Sequence, residues 1–127
     1  MGRPTLQAQA LFQTGQQFRK TWVVDAAASA LSYGGDLDVL ATPVIVYWIE
    51  SYATECIRLA GGGRCGSVGH AVSVRHVAPA HPGSAVRLTI TVEAMFGNSL
   101  RFSAHAVTGE ADTLIATGTH DRTLVEL

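Results

Sequence analysis

Alternating apolar and polar residues dominate the second half of the chain. From Val68 onwards, four runs alternate with a period of two, which is typical of strands that bury one face. Turn-forming residues separate these runs, and Gly97-Asn98 has the composition of a tight hairpin turn. The predicted strands cover residues 68–77, 86–96, 100–106 and 114–125, and an earlier strand is predicted at 17–25.

One long helix is predicted between the first strand and the alternating region. Thr42 is a suitable N-cap, Pro43 suits the first helical position, and Gly61-Gly62-Gly63 ends the run. Residues 44–49 are apolar on every side, which favours a helix enclosed by other elements. The segment 26–40 before the helix is predicted to be a loop or lid with one short helical turn.

The order of these elements predicts an α+β domain. A single central helix wrapped by one curved antiparallel sheet, the hotdog fold, accounts for it. A β-sandwich is disfavoured by the helix, and a parallel sheet by the missing crossover connections. Residues 1–16 are expected to form a flexible N-terminal tail, and residues 17–127 a single domain, as the length of 127 residues suggests.

Composition narrows the class of protein. With 47% hydrophobic and 15% charged residues the chain is expected to fold, and a net charge of -1 without a basic run argues against nucleic-acid binding. No stretch approaches the ~18 apolar residues of a membrane span, and the polar N-terminus is unlike a secretory signal. Cys56 and Cys65 are expected to be reduced thiols of a cytoplasmic protein. A mean hydropathy of +0.21 favours an oligomer that covers some of this surface.

Three polar residues stand out from their surroundings. Glu50 follows six apolar residues, where a carboxylate is costly unless paired and often marks a functional site, although a polar stripe with Thr54 would bring it to solvent. His76 is predicted to share the inward face of its strand with His70, a position that also suits a core histidine. Thr42 lies about 12 Å along the helix from Glu50, so an imidazole or a water would have to bridge them.

Taken together, these residues resemble the fluoroacetyl-coenzyme A thioesterase family of hotdog enzymes. The resemblance runs from about residue 17 to the C-terminus and implies that Thr42, Glu50 and His76 are catalytic, with Gly69 as a backbone amide donor. It rests on Ala41-Thr42, Glu50, Ser67-Val68-Gly69, His76, Pro82-Gly83 and Gly118-Thr119-His120-Asp121-Arg122.

The resemblance implies hydrolysis of an acyl-CoA thioester. Glu50 would be the nucleophile or the base that activates water, and Thr42 would position the thioester carbonyl or join in acyl transfer. His76 would protonate the leaving thiolate, and the Gly69 N–H would stabilise the oxyanion. The resemblance implies neither a metal nor a redox cofactor, and it implies a homodimer with the pantetheine channel near the interface.

The predicted lid departs from the family pattern. No Phe occurs between Phe18 and Phe96, and Asp36 stands where a gating Phe is expected. The predicted substrate-binding residues are Tyr33, Leu40 and Tyr47. General thioester hydrolysis is therefore expected, without strong selectivity for the fluoroacetyl group.

Two other functions fit the same fold. One is hydrolysis of acyl chains bound to a carrier protein, and the other is a non-catalytic module that binds acyl thioesters. Either coenzyme A phosphates or an acidic carrier would suit the basic residues Arg58, Arg64, Arg75 and Arg87.

Overall fold

One long helix and five strands make up most of the protein, which the computed structural model describes from residue 6 to residue 127. The strands are β1 (Gln17–Val23), β2 (Cys65–His76), β3 (Ala85–Phe96), β4 (Ser99–Thr108) and β5 (Thr113–Glu126), and the helix is α1 (Thr42–Ala60). All neighbouring strands are antiparallel, in the order β1-β3-β4-β5-β2. This is the α+β hotdog architecture that the pattern predicts.

The core lies between α1 and the inner face of the sheet. Every second residue of β3 from Val86 to Val92 is buried, as the alternation predicts. The helix contributes Val44, Ile45, Trp48, Ile49, Ala53, Cys56 and Ile57 to the same core. The prediction that the apolar half of α1 is enclosed on all sides is wrong at Tyr47, which is 66% exposed, because the sheet covers only one side of the helix.

β2 contains one extra residue, and this residue decides which side chains face α1. The pairing with β5 moves from Gly69 directly to Ala71, so His70 forms a β-bulge that reverses the alternation. Gly69 and His76 therefore both face α1. The prediction that His70 shares the face of His76 is wrong, since His70 is exposed and lines a cavity on the outer face of the sheet.

Residues 6–16, which the sequence assigns to a flexible tail, contact the sheet. The backbone N–H of Ala8 donates to a carbonyl in the β3–β4 turn at 2.8 Å, and Ala8 is fully buried. The Phe12 ring is buried, edge-on against Phe18 and Phe102. These two buried residues stand in a stretch where glutamines interrupt the apolar positions, which hid their role in the sequence. Residues 1–5 of the predicted tail lie outside the described residues.

The segment before α1 is more ordered than a simple loop. It contains two short 3-10 turns, Ala26–Ala28 and Ala30–Tyr33, where one turn is predicted. An isolated bridge joins Ser29 to Leu40 and closes the segment into a loop. Within residues 6–127, no helix is both long enough and apolar enough to cross a membrane.

Candidate active site

The start of α1 and the end of β2 bring Thr42 and His76 into contact. Thr42 Oγ1 lies 2.9 Å from His76 Nδ1, which is a normal hydrogen bond. Thr42 is not the N-cap that the sequence predicts, since Ala41 holds that position without a side-chain cap bond. Because the Thr42 hydroxyl bonds to the His76 imidazole, the Thr42 side chain contributes to the candidate site and does not cap the helix.

The surroundings of His76 keep its imidazole neutral at pH 7. Burial lowers its pKa below the ordinary value of 6.5, and the Ala78 backbone opposes part of this shift. Nε2 is buried, and no group in the described part of the chain, Ala78 included, makes a hydrogen bond of normal geometry to it. A neutral imidazole that contacts a hydroxyl through its other nitrogen can accept the hydroxyl proton, as a general base must.

Glu50 meets a different set of groups, two turns further along α1. A Cβ built on Gly69 would lie 3.3 Å from Glu50 Oε1, 2.8 Å from Arg122 Nη1 and 3.0 Å from His120 Cε1. The carboxylate therefore lies over Gly69, beside a guanidinium and an imidazole. The sequence reasoning gave His120 and Arg122 no role of their own, although the alternation of β5 places both on the inner face.

The predicted catalytic set is thus divided within one protomer. Thr42 and Glu50 are separated by about 12 Å of helix rise. Gly69 and His76 are separated by roughly 20 Å along an extended strand. Among the described residues, no hydrogen bond joins the Glu50 carboxylate to Thr42 or to His76. The structure brings Thr42 together with His76, and Glu50 together with Gly69, but it does not join the two pairs.

Two of the three predicted substrate-binding residues share a cavity. Tyr33 and Tyr47 line an apolar hollow of about 230 Å³ between α1 and the segment before it, and both tyrosines are exposed at its mouth. Leu40 does not line this hollow, because its side chain is buried in the core. The cavity supplies a mostly apolar surface, and its polar groups include the two phenols and the side chain of Asp25.

The two cysteines are poor nucleophiles. Burial raises the pKa of the Cys56 thiol to about 11, and burial also raises the pKa of Cys65. Both thiols are buried and free. Among residues 6–127, no three His, Cys, Asp or Glu side chains are grouped so that they could hold a metal ion.

Several solved structures share this fold. The hot-dog-like protein from Thermanaerovibrio acidaminovorans superposes with a TM-score of 0.83 and 26% identity, covering 91% of this chain and 85% of that one. The fluoroacetyl-CoA thioesterase FlK superposes with a TM-score of 0.81 and 24% identity, covering 91% and 90%. A Thermus thermophilus protein described as a thioesterase superfamily member gives 0.68 and 24%, covering 90% and 84%.

These similarities establish that the protein has the hotdog fold. The sequence profile described as "Fluoroacetyl-CoA-specific thioesterase" matches residues 24–127, so the chain belongs to that family and is a thioester hydrolase. The resemblance stated from the sequence is thereby confirmed, and the non-catalytic module is not supported. No curated protein sequence gives a significant match.

Proposed function

We propose that the protein hydrolyses an acyl-CoA thioester through Thr42, Glu50 and His76, with the Gly69 N–H as the oxyanion donor. The contact between Thr42 Oγ1 and His76 Nδ1 carries this proposal, because it pairs a hydroxyl with a neutral imidazole. Acyl-CoA is the substrate class because the similar enzyme FlK was solved with fluoroacetate and CoA, and with acetyl-CoA.

The reaction replaces the carbon–sulfur bond of the thioester with a carbon–oxygen bond. The Glu50 carboxylate either attacks the carbonyl carbon, giving a mixed anhydride that water then hydrolyses, or removes a proton from the water that attacks it. Thr42 holds the carbonyl, and the neutral His76 takes up the proton of the attacking water by way of Glu50 and passes it to the departing thiolate, so that a free acid and a thiol leave. A single turnover in ¹⁸O-labelled water separates the two courses. Label on Glu50 identifies attack by the carboxylate, whereas label only in the released acid favours activated water.

We also propose that the active protein is a homodimer joined through β2. This strand is one of the two edges of the sheet and, with 12 residues, the longer one, so one side of its backbone has no partner strand among residues 6–127. Val68 and Val72 on this strand are 56% and 40% exposed. A long edge strand with exposed valines favours pairing with a second copy.

Such a dimer would join the two halves of the site. Antiparallel pairing of β2 with its symmetry mate, centred between Val72 and Ser73, sets Gly69 of one protomer opposite His76 of the partner subunit. Glu50 would then act with Thr42 and His76 of the partner subunit, which accounts for the division of the site within one protomer.

Mixing two inactive variants tests the composite site. Glu50→Gln and His76→Ala homodimers should each be nearly inactive, and subunit exchange between them should restore about a quarter of the wild-type rate, since half of the dimers are mixed and each has one intact site. No recovery after verified exchange would contradict the shared site. A solution mass near 13.4 kDa at micromolar concentration would contradict the dimer itself.

The same residues could act on an acyl group carried by a protein. Arg87 is one of the four basic residues that would suit either the phosphates of coenzyme A or an acidic carrier protein. It lies on the outer face of the sheet, where it contacts Asp112 and the Gly109 carbonyl. The two substrates can be distinguished by measuring rates side by side with an acyl-CoA and with the same acyl group on a carrier protein. A higher kcat/KM for the carrier would overturn the acyl-CoA assignment.

A further inference from the structure

Behind Glu50, a polar network is buried between β2 and β5. Arg122 is only 6% exposed and His120 only 1%. Arg122 Nε donates to Ser67 Oγ at 2.7 Å, Nη2 donates to the Ser67 carbonyl at 3.2 Å, and Nη1 donates to His120 Nε2 at 3.0 Å. All three guanidinium nitrogens are therefore used, and two of them hold the backbone and side chain of Ser67.

The contacts of His120 fix its tautomer. A guanidinium can only donate, so the Nε2 atom that faces Arg122 has to accept. The proton is therefore on Nδ1, which donates to the Ala71 carbonyl at 2.9 Å. Burial is the main cause that lowers the pKa of His120, and the charge of Arg122 lowers it further. His120 is a neutral acceptor that orients Arg122 from one side, as Ser67 does from the other.

A buried guanidinium needs a negative charge nearby, and Glu50 provides it. Burial lowers the pKa of Arg122, and the charge of Glu50 opposes that effect. The position of a Cβ on Gly69 lies within 2.8 Å of Arg122 Nη1 and 3.3 Å of Glu50 Oε1, so about 6 Å at most separates these two atoms. The guanidinium is close to the carboxylate, and each of its nitrogens donates to Ser67 or His120. No hydrogen bond or ion pair among the described residues joins Arg122 to Glu50 directly, so its charge attracts the carboxylate from a distance.

A purely structural role explains this network poorly. β2 and β5 are already joined by a backbone ladder that runs through Gly69 opposite Arg122. A buried charge is a costly way to reinforce such a ladder, since apolar residues of similar volume are often equally stabilising. The buried cation is therefore better explained by its neighbour, the carboxylate over Gly69.

We propose that Arg122 is a positioning residue, which rests on the proposed function: held by Ser67 and His120, it orients the Glu50 carboxylate over Gly69 for catalysis. Arg122 would not touch the substrate. Its effect on the reaction would pass through Glu50, and this route distinguishes it from a residue that only keeps β2 and β5 together.

A double-mutant cycle tests this route. Arg122→Lys keeps the charge but loses the planar fork, and it should lower kcat/KM about tenfold to a hundredfold, mainly through kcat. In the Glu50→Gln background the same change should alter the residual rate by less than about threefold, because the group that Arg122 orients no longer acts. If Glu50→Gln leaves no measurable rate, Glu50→Asp provides the second background.

A matched control separates positioning from general damage. Arg101 also makes a two-nitrogen contact, to Asp121 on the outer face of the sheet, so Arg101→Lys should leave kcat/KM unchanged. An equal loss from Arg122→Lys in both backgrounds, or wild-type activity of Arg122→Lys, would overturn the positioning role alone. Wild-type activity of Glu50→Gln would instead overturn the proposed catalytic site, and this role with it.

Discussion

The two ends of β2 hold their polar groups in different ways. At the Gly69 end, every nitrogen of Arg122 and both nitrogens of His120 have hydrogen-bond partners. At the other end, His76 has one bond, to Thr42, and an unpaired Nε2. Buried polar groups are nearly always paired, so the pattern at the Gly69 end is the ordinary one and the pattern at the His76 end is unusual.

This difference suggests a division of labour between the two ends. A network in which every nitrogen has a partner resists rearrangement and is suited to hold a fixed charge beside Glu50. A neutral imidazole with a single partner can gain and release a proton at little cost in broken hydrogen bonds. The fixed end would thus direct the attack on the thioester, and the open end would move protons.

Removal of the carboxylate should have the largest effect. Glu50→Gln preserves the shape of the side chain but not its charge, and we expect kcat/KM to fall about a hundredfold to ten-thousandfold. Glu55→Gln is the matched control, because Glu55 is on the same helix but pairs with Lys20 on the surface. Steady-state rates of the two variants should be measured, with thermal unfolding curves to show that both are equally folded. Comparable rates for Glu50→Gln and Glu55→Gln would contradict the prediction.

Loss of the imidazole at the open end should come next. His76→Ala is expected to lower kcat/KM about a hundredfold or more, since it removes the proton carrier. Thr42→Ala should leave Tm nearly unchanged, because its hydroxyl makes no cap bond in α1, while activity falls. His105→Ala on the outer face should keep the wild-type rate. Activity close to wild type in His76→Ala would eliminate this end of the site.

A methyl group added at the closed end should reduce stability. The Cβ of Gly69→Ala would lie 2.8 Å from Nη1 of Arg122, which hydrogen bonds to Ser67 and His120 hold in place, and we expect a loss of about 1–3 kcal/mol in the free energy of unfolding. Gly66→Ala is the control on the same strand, because its Cβ would meet only the flexible end of Leu127. Denaturant unfolding that ranks the two variants in the opposite order would show that the network can adapt.

The pH dependence of stability should follow the two buried histidines. His76 and His120 both have a pKa below the ordinary 6.5, so the folded protein binds fewer protons than the unfolded chain. Their contribution to stability is complete above pH 6.5 and is lost as the pH falls towards their lowered pKa values. His76→Asn and His120→Asn should each flatten the decline in the free energy of unfolding below pH 6.5. An unchanged slope in both variants would be inconsistent with buried neutral imidazoles.

The smallest effect concerns the acyl group, which neither end of β2 selects. Without a phenylalanine in the segment before α1, we expect similar kcat/KM for fluoroacetyl-CoA and acetyl-CoA, and better turnover of a longer acyl chain. An apolar pocket discriminates between two substrates that differ by one methylene group by only ~1–3 kcal/mol in binding free energy. Acetyl-, fluoroacetyl-, butyryl- and aryl-acyl-CoA should be compared under one set of conditions. A preference of about a thousandfold for fluoroacetyl-CoA over acetyl-CoA would assign a gating role to other residues, such as Tyr47 or Trp48.

Alternation and helix signals were enough to predict the fold, because these patterns follow directly from burial on one face. The apolar surroundings of Glu50 also marked it correctly as unusual. The partner of Thr42 was harder to predict, since a hydroxyl that suits an N-cap is bonded instead to His76, 34 positions away. The buried Phe12 was missed because Ala10-Leu11-Phe12 is a short apolar run between glutamines, and only the fold brings Phe18 and Phe102 to it.

The bulge at His70 makes the length of β2 as important as its composition. Gly69 is at an odd position and His76 at an even one, so a regular strand would direct them to opposite sides of the sheet. Deletion of His70 would give a perfect ladder and yet rotate one half of the site away from α1. A one-residue insertion or deletion between Gly69 and His76 should therefore abolish activity even where the sheet still forms. The sides of the sheet to which Gly69 and His76 point depend on the number of residues between them. The presence of residue 70 therefore matters more than its identity.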